Sequence, residues 1–227
     1  MRRVIVVMLS ILFIGFVCSC NQVENPEYEI VKKISEFKDS SVSSFMFVIN
    51  DVSKEIESNS YEDALDKSDY ILNESKTIIK YDKKKDVLLY YKYLVEDNNV
   101  TRNFLSYVLY DKKINKYIIT NSNSMTYRVS NYDSIEAIFE EKLNYKFDTY
   151  IYNTMNNIFD DSNNSNDEYN VEYLYNNYRN GFKIESKESY RFINKYWRFE
   201  NLSYEYYEYV DSITLPNLED YIEYPSK

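Results

Sequence analysis

The sequence predicts an α+β domain on an antiparallel β-sheet, with one helix at its N-terminal end and a helical insertion near its middle. Three observations predict it. Ile30, Val31, Ile34 and Phe37 fall at helical spacing. Between Lys76 and Val129 the period becomes that of strands, with β-branched and aromatic runs separated by short Asn-, Asp- and Lys-rich segments. From Ile135 to Ile158 helical spacing returns, and strand-like runs then resume.

Taken in order, residues 20–29 (CNQVENPEYE) are polar and without apolar period, so they read as a tether ahead of one domain over 30–227. A first helix should run from Tyr28 to Lys38 and end at Ser40–Ser44, before a short strand over Phe45–Ile49. Ser60 is placed to cap a second helix, with Glu62 and Asp63 in its first turn and Leu65 and Leu72 facing inward. Strands are expected at Thr77–Tyr81, Val87–Val95, Phe104–Tyr110, Ile114–Thr120 and Met125–Val129. The turns between them carry Asn and Asp in place of glycine, because these residues tolerate the left-handed conformation. Asp133-Ser-Ile-Glu136 has the form of a capping box. It should open one bent helix, or two short ones, ending near Phe159, before a solvated loop over Asp160–Asp167. The last strands are expected at Val171–Tyr175, Phe182–Glu185, Tyr190–Phe199, Tyr204–Val210 and Ser212–Leu215.

Composition excludes several chemistries. Histidine is absent from the chain, which removes the commonest general base and the commonest metal ligand. The chain has 37 acidic and 27 basic residues, a formal charge of −10, and such a surface repels nucleic-acid phosphates and anionic headgroups. With only two glycines there is no nucleophile elbow and no phosphate-cradling loop. The acids are too many for any pair to stand out as glycosidase carboxylates. Asp161, Asn163, Ser165, Asp167, Tyr169 and Glu172 partly match a calcium-loop spacing, but Asn166 stands where the turn needs glycine, so no metal site is assigned. No catalytic residue and no cofactor is assigned, and the chain reads as a non-enzyme.

The first twenty residues carry the address. Arg2 and Arg3 precede an apolar run from Val4 to Val17, then Val17-Cys18-Ser19-Cys20. This is an export signal, too short to span a bilayer, which takes about 20 apolar residues. The segment resembles the lipobox of bacterial lipoproteins, with aliphatic Val17, small Ser19 and then the cysteine; a plain secretory signal and an uncleaved anchor are the alternatives. The resemblance implies a signal peptide over 1–19, cleavage before Cys20, diacylglycerol on its thiol, further acylation (a palmitate-type chain) and a lipid-anchored protein in the cell envelope, on its periplasmic or outer-surface face. The mature chain then has no free thiol, and 37 acids face 25 bases.

The 27 tyrosines and 12 phenylalanines are the remaining feature. If Tyr190–Phe199 is one regular strand, Tyr190, Phe192 and Tyr196 share a face and Trp197 and Phe199 the other; Tyr204 and Tyr206 alternate with Tyr207 and Tyr209. Such a strand is either covered on both faces or lines a cavity. The order helix, strand, meander, helical insertion and further strands resembles the periplasmic lipid-binding lipoproteins of the LolA-like and LppX-like superfamily. The C-terminal stretch YEYVDSITLPNLEDY (207–221), an edge strand stopped by Pro216, is similar to their closing strand. The resemblance implies a curved, half-open sheet closed by helices over an apolar cavity. Phe182, Ile184, Tyr190, Phe192, Tyr196, Tyr204 and Tyr206 are the residues expected to line it for a lipid or other apolar ligand. The rival expectations are an envelope surface protein with a solid core and an acidic, Tyr-rich face for a protein partner, and a carboxylate hydrolase. No nucleic-acid partner is expected.

Overall fold

In a computed structural model, residues 26–39, 44–143, 152–154 and 169–224 are described. Cys20, the signal, the first part of the tether and the calcium-like window up to Glu168 lie outside them, as do 144–151 and 155–159 of the expected central helix.

Helix α1 (Pro26–Asp39) starts inside the expected tether. Pro26 suits a first turn, where its missing N–H costs nothing, and Glu27 and Glu29 complement the helix dipole there. Ile30 and Ile34 are buried on one side, while Val31 is exposed. Strand β1 (Phe45–Glu57) runs well past the expected end at Ile49. Its second half carries Asp51, Ser53 and Glu55, so no apolar alternation marks it as a strand. The short α2 (Tyr61–Leu65) is capped by Ser60, whose hydroxyl accepts from the Asp63 amide at 3.2 Å, as expected. Its buried residue is Ala64; Leu65 is exposed and Leu72 lies in the next strand.

A meander follows: β2 (Ile71–Asp82), β3 (Val87–Glu96), β4 (Asn99–Asp111), β5 (Lys116–Asn121) and β6 (Thr126–Val129). Its turns work as the missing glycines require. Seven described non-glycine residues have positive φ, and five are Asp or Asn: Asp86, Asp97, Asn98, Asn115 and Asn194. Met125 and Lys195 are the other two. The Asp82 carboxylate accepts from the amides of Lys84 and Lys85, and Asn121 does the same for Asn123 and Ser124. These side chains replace backbone acceptors inside the turns.

Helix α3 (Ile135–Leu143) is capped by Ser134, whose Oγ accepts from the Ala137 amide at 3.1 Å. The cap is thus one residue later than the Asp133 reading. Residues 152–154 are also helical. A second meander completes the chain: β7 (Tyr169–Tyr178), β8 (Gly181–Ile193) and β9 (Tyr196–Tyr207). The expected single strand Tyr190–Phe199 is therefore two strands joined by a tight turn at Asn194 and Lys195, both at positive φ. No strand forms at Ser212–Leu215. Residues 208–217 instead cross the sheet to a 3₁₀ turn (Leu218–Asp220) and the two-residue β10 (Ile222–Glu223).

All ten strands form one open, curved sheet in the order β10-β6-β5-β4-β3-β2-β1-β9-β8-β7. Every pairing is antiparallel except β10 on β6. The two meanders meet where β9 pairs with β1. Helices α1 and α3 cover one face, and the main core lies beneath them. Phe45, Phe47, Ile79, Leu88, Val108, Ile119, Phe182 and Ile184 of the sheet pack there against Ile30 and Ile34 of α1 and Ile135, Ile138 and Phe139 of α3. Burial of each such side chain is worth about 1.5–3 kcal/mol. Lys33 ties α1 down, donating to Asn177 Oδ1 (2.6 Å) and to the carbonyls of Tyr178 and Gly181. Gly181 has a steric reason: a Cβ there would sit 2.1 Å from the Tyr206 carbonyl oxygen.

The other face is covered by the C-terminal segment. Ile213 is buried against Val87, Leu109 and Ile118, with Val210 and Leu218 alongside. Lys80 pairs with Asp211 at 3.6 Å.

Candidate functional site

Helix α3 does not close fully over the meander. A half-open cleft of about 620 Å³ lies between it and strands β3–β5. The hairpin registers explain its walls. Leu88, Tyr90 and Lys92 alternate along β3, opposite Val108, Ser106 and Phe104 of β4. This shared face is apolar at one end and carries Lys92 and Arg102 toward the other, with Leu94 across from Arg102. Ile135, Ile138 and Phe139 roof the apolar end. Thr101, Asn103, Asn121 and Asn123 complete the rim. Asn123 donates from its side-chain amide to the Asn103 carbonyl, which holds the β5–β6 turn against β4. A smaller recess of about 380 Å³ adjoins it, sharing Phe104 and Asn121 and reaching Tyr127 and Tyr224.

Helix α3 is held by Tyr81, whose hydroxyl donates to Glu136 at 2.9 Å. Burial, then this hydrogen bond, push the Tyr81 pKa well above the usual phenol value. Tyr90 stands in the cleft wall with its ring 6.2 Å from that of Phe104. Burial raises its pKa and the Arg102 charge opposes the rise, so guanidinium and phenol are electrostatic neighbours. Ser106, between Phe104 and Val108 on β4, is 1 % exposed and its hydroxyl has no hydrogen-bond partner.

The residues that the sequence singled out lie elsewhere. Phe182, Ile184 and Tyr206 are in the filled part of the main core, with the Phe182 and Tyr206 rings 5.4 Å apart. Tyr204 packs beside them, half-buried. Tyr190 and Phe192 are on the opposite face. A one-residue bulge between Glu185 and Ser189 shifts the β8 register, so the two halves of the strand present opposite parities. Tyr190 and Phe192 thereby join Trp197, Phe199, Ile56 and Tyr61 in a separate cluster, with Phe192 and Trp197 rings 4.9 Å apart. Tyr196 pairs with Ile193 beside the turn and belongs to the face away from that cluster. The shared face expected for Tyr190, Phe192 and Tyr196 is therefore corrected: the turn and the bulge put Tyr190 and Phe192 with Trp197 and Phe199.

The same bulge leaves charged residues on the inner face at the far end of β1, β8 and β9. Arg191 and Arg198 bind Glu200 at 3.2 and 3.1 Å, and Arg198 lies 3.9 Å from Glu55. Burial raises the Asp51 pKa there, against the pull of Arg198 and Arg191. These are paired charges of a structural kind. Among the described residues no group of three or more acids or cysteines could hold a metal ion, and no helix is long and apolar enough to cross a membrane.

Sequence reasoning missed the cleft because its β-sheet residues look ordinary alone. The signal that could have found it is register: Lys92 lies between Tyr90 and Leu94 on the inward row of β3, and Arg102 is next to Phe104 on that of β4. Only the pairing of β3 with β4 shows that the two rows share one end. Compared with known proteins, the chain matches no family model and no curated protein.

Proposed function

We propose that the chain is a non-enzymatic lipoprotein of the bacterial cell envelope, anchored through Cys20, that holds an apolar or amphipathic molecule between α3 and its sheet. The observation that carries the reading is the cleft. Its volume of about 620 Å³ lies in the range of ligand pockets, roughly 300–1,000 Å³. Leu88, Val108, Ile135, Ile138 and Phe139, nearly fully buried, form its apolar end, and Lys92, Thr101, Arg102, Asn103, Asn121 and Asn123 make its other side polar. That division suits burial of a hydrocarbon by the hydrophobic effect, with orientation set at the rim. The N-terminal signal supports the location, since a lipobox-like cysteine supplies an anchor without a membrane-spanning helix.

The test is native mass spectrometry of the protein purified from membranes, followed by titration of the delipidated protein with a fluorescent fatty acid. A co-purified lipid, and saturable binding of one probe per chain, are expected. Absence of both would remove the binding reading. Retention of Cys20→Ser precursor at the membrane with unchanged processing would remove the anchor.

A further inference from the structure

The cleft is electrically unlike the rest of the molecule. The chain carries ten more acids than bases, yet the thirteen described residues lining the cleft include Lys92 and Arg102 and no acid. Neither cation has an ion-pair partner among the described residues. They are placed together by register: Lys92 faces Phe104 across the β3–β4 ladder, and Arg102 is the next inward residue on β4. Lys92 is half-buried and lines the cleft with Tyr90. The apolar end lies beneath α3; the cations stand at the other, beside exposed Thr101 and Asn103.

We infer that the cleft takes a single-chain amphiphile with an anionic head, its hydrocarbon chain under α3 and its carboxylate or phosphate between Lys92 and Arg102. This deepens the binding reading above and rests on it. A neutral head leaves two unpaired cations at the mouth, and a cationic head is repelled by them. An anionic head gains charge-assisted hydrogen bonds with both, while the acidic remainder of the surface discourages anions everywhere else. Full insertion of a two-chain lipid is not required, because the cleft offers one apolar lobe with one charged end.

The test keeps the chain constant and varies the head. Hexadecanoic acid, hexadecyl phosphate, hexadecanol and hexadecyltrimethylammonium are compared by competition against a bound fluorescent alkane probe. The anionic ligands should bind at least about tenfold more tightly than the alcohol, as loss of charged hydrogen bonds implies, and the ammonium most weakly. A preference for carboxylate over phosphate, or the reverse, assigns the head as a fatty acid or a phosphorylated lipid. Lys92→Glu/Arg102→Glu should abolish the anionic preference and retain hexadecanol. Lys112→Glu/Lys113→Glu, in the distant β4–β5 turn, makes the same change in net charge and should keep the preference. Equal affinity for all heads, or a preference that survives Lys92→Glu/Arg102→Glu, overturns the headgroup inference and leaves the cleft reading standing. Failure of every chain to bind overturns both.

Discussion

The two halves of the inner sheet face are built from similar residues and end differently. Beneath α1, Phe45, Phe47, Phe182, Ile184 and Tyr206 share one packed cluster with Ile30 and Ile34, and none of them lines the cleft or the recess beside it. Beneath α3, Leu88, Tyr90, Phe104 and Val108 meet Ile135, Ile138 and Phe139 and leave about 620 Å³ open. Aromatic content does not separate the halves. The two helices are also held by different contacts. Lys33 draws α1 onto the β7–β8 hairpin through three acceptors. Tyr81 donates its hydroxyl to Glu136 in the first turn of α3.

The two halves should respond differently to substitutions in their walls. Phe182→Ala in the closed half should cost about 3–5 kcal/mol in denaturant unfolding, because its packed neighbours cannot refill the space. It should leave the cleft's affinity for a fatty acid unchanged once refolded; a large loss of affinity would mean that the halves are not independent. Val108→Phe in the open half, a small-to-large change at a buried residue on the cleft wall, should cost about 1–3 kcal/mol. It should reduce probe binding severely in the same titration. Equal destabilisation by the two substitutions would show that the open half is as tightly packed as the closed one.

Removing the Tyr81 contact gives a smaller effect. Tyr81→Phe loses the bond to Glu136 and should cost about 0.5–1.5 kcal/mol. It also changes the alkaline limb of stability. Burial, ahead of any other cause, raises the pKa of Tyr81 in one half and of Tyr206 in the other, and raises Tyr207 to about 12. A pKa higher in the folded than in the unfolded state gives stability that is whole below the ordinary phenol value of 10.0 and falls as pH rises beyond it. The protein should therefore unfold cooperatively with tyrosinate formation in strong alkali, and Tyr81→Phe should make that decline shallower. The smallest effect is expected at Asp51, outside both roofs. Its raised pKa means that ionisation is disfavoured in the folded state, so stability falls as pH climbs above the ordinary value of 3.8. Asp51→Asn should match the parent below that pH and equal or exceed its melting temperature at neutral pH. A large loss at neutral pH would show that the carboxylate's attraction to Arg198 and Arg191 outweighs its burial.

Much of the architecture was legible in the residues. Helical spacing at Ile30 and Ile34, the β-branched runs of the meander and the Asn and Asp turn residues each lead to the element that forms. The aromatic strands were not, because two features of single-residue size decide them. The Asn194-Lys195 turn carries no glycine, and Lys195 is an unusual residue for a positive φ. The bulge after Glu185 has no mark in an alternating sequence of charges and serines. Without them, Tyr190, Phe192 and Tyr196 count to the wrong faces. The long second half of β1 was missed for a related reason: Asp51, Ser53 and Glu55 are inward residues whose partners Arg191, Arg198 and Glu200 arrive from far along the chain. The cleft itself depends on the register of the β3–β4 hairpin and on where α3 docks over it, and neither is a property of any single residue.

The bulge in β8 also bears on how this chain tolerates changes of length. Deleting one residue from 186–188 would restore a regular ladder and rotate everything from Ser189 to Ile193 by half a turn. Arg191 would leave Glu200, and Tyr190 and Phe192 would be driven from the Trp197 cluster into the charged inner face. One missing codon there would be felt more than several added in the β4–β5 turn, where Lys112 and Lys113 count toward no face at all.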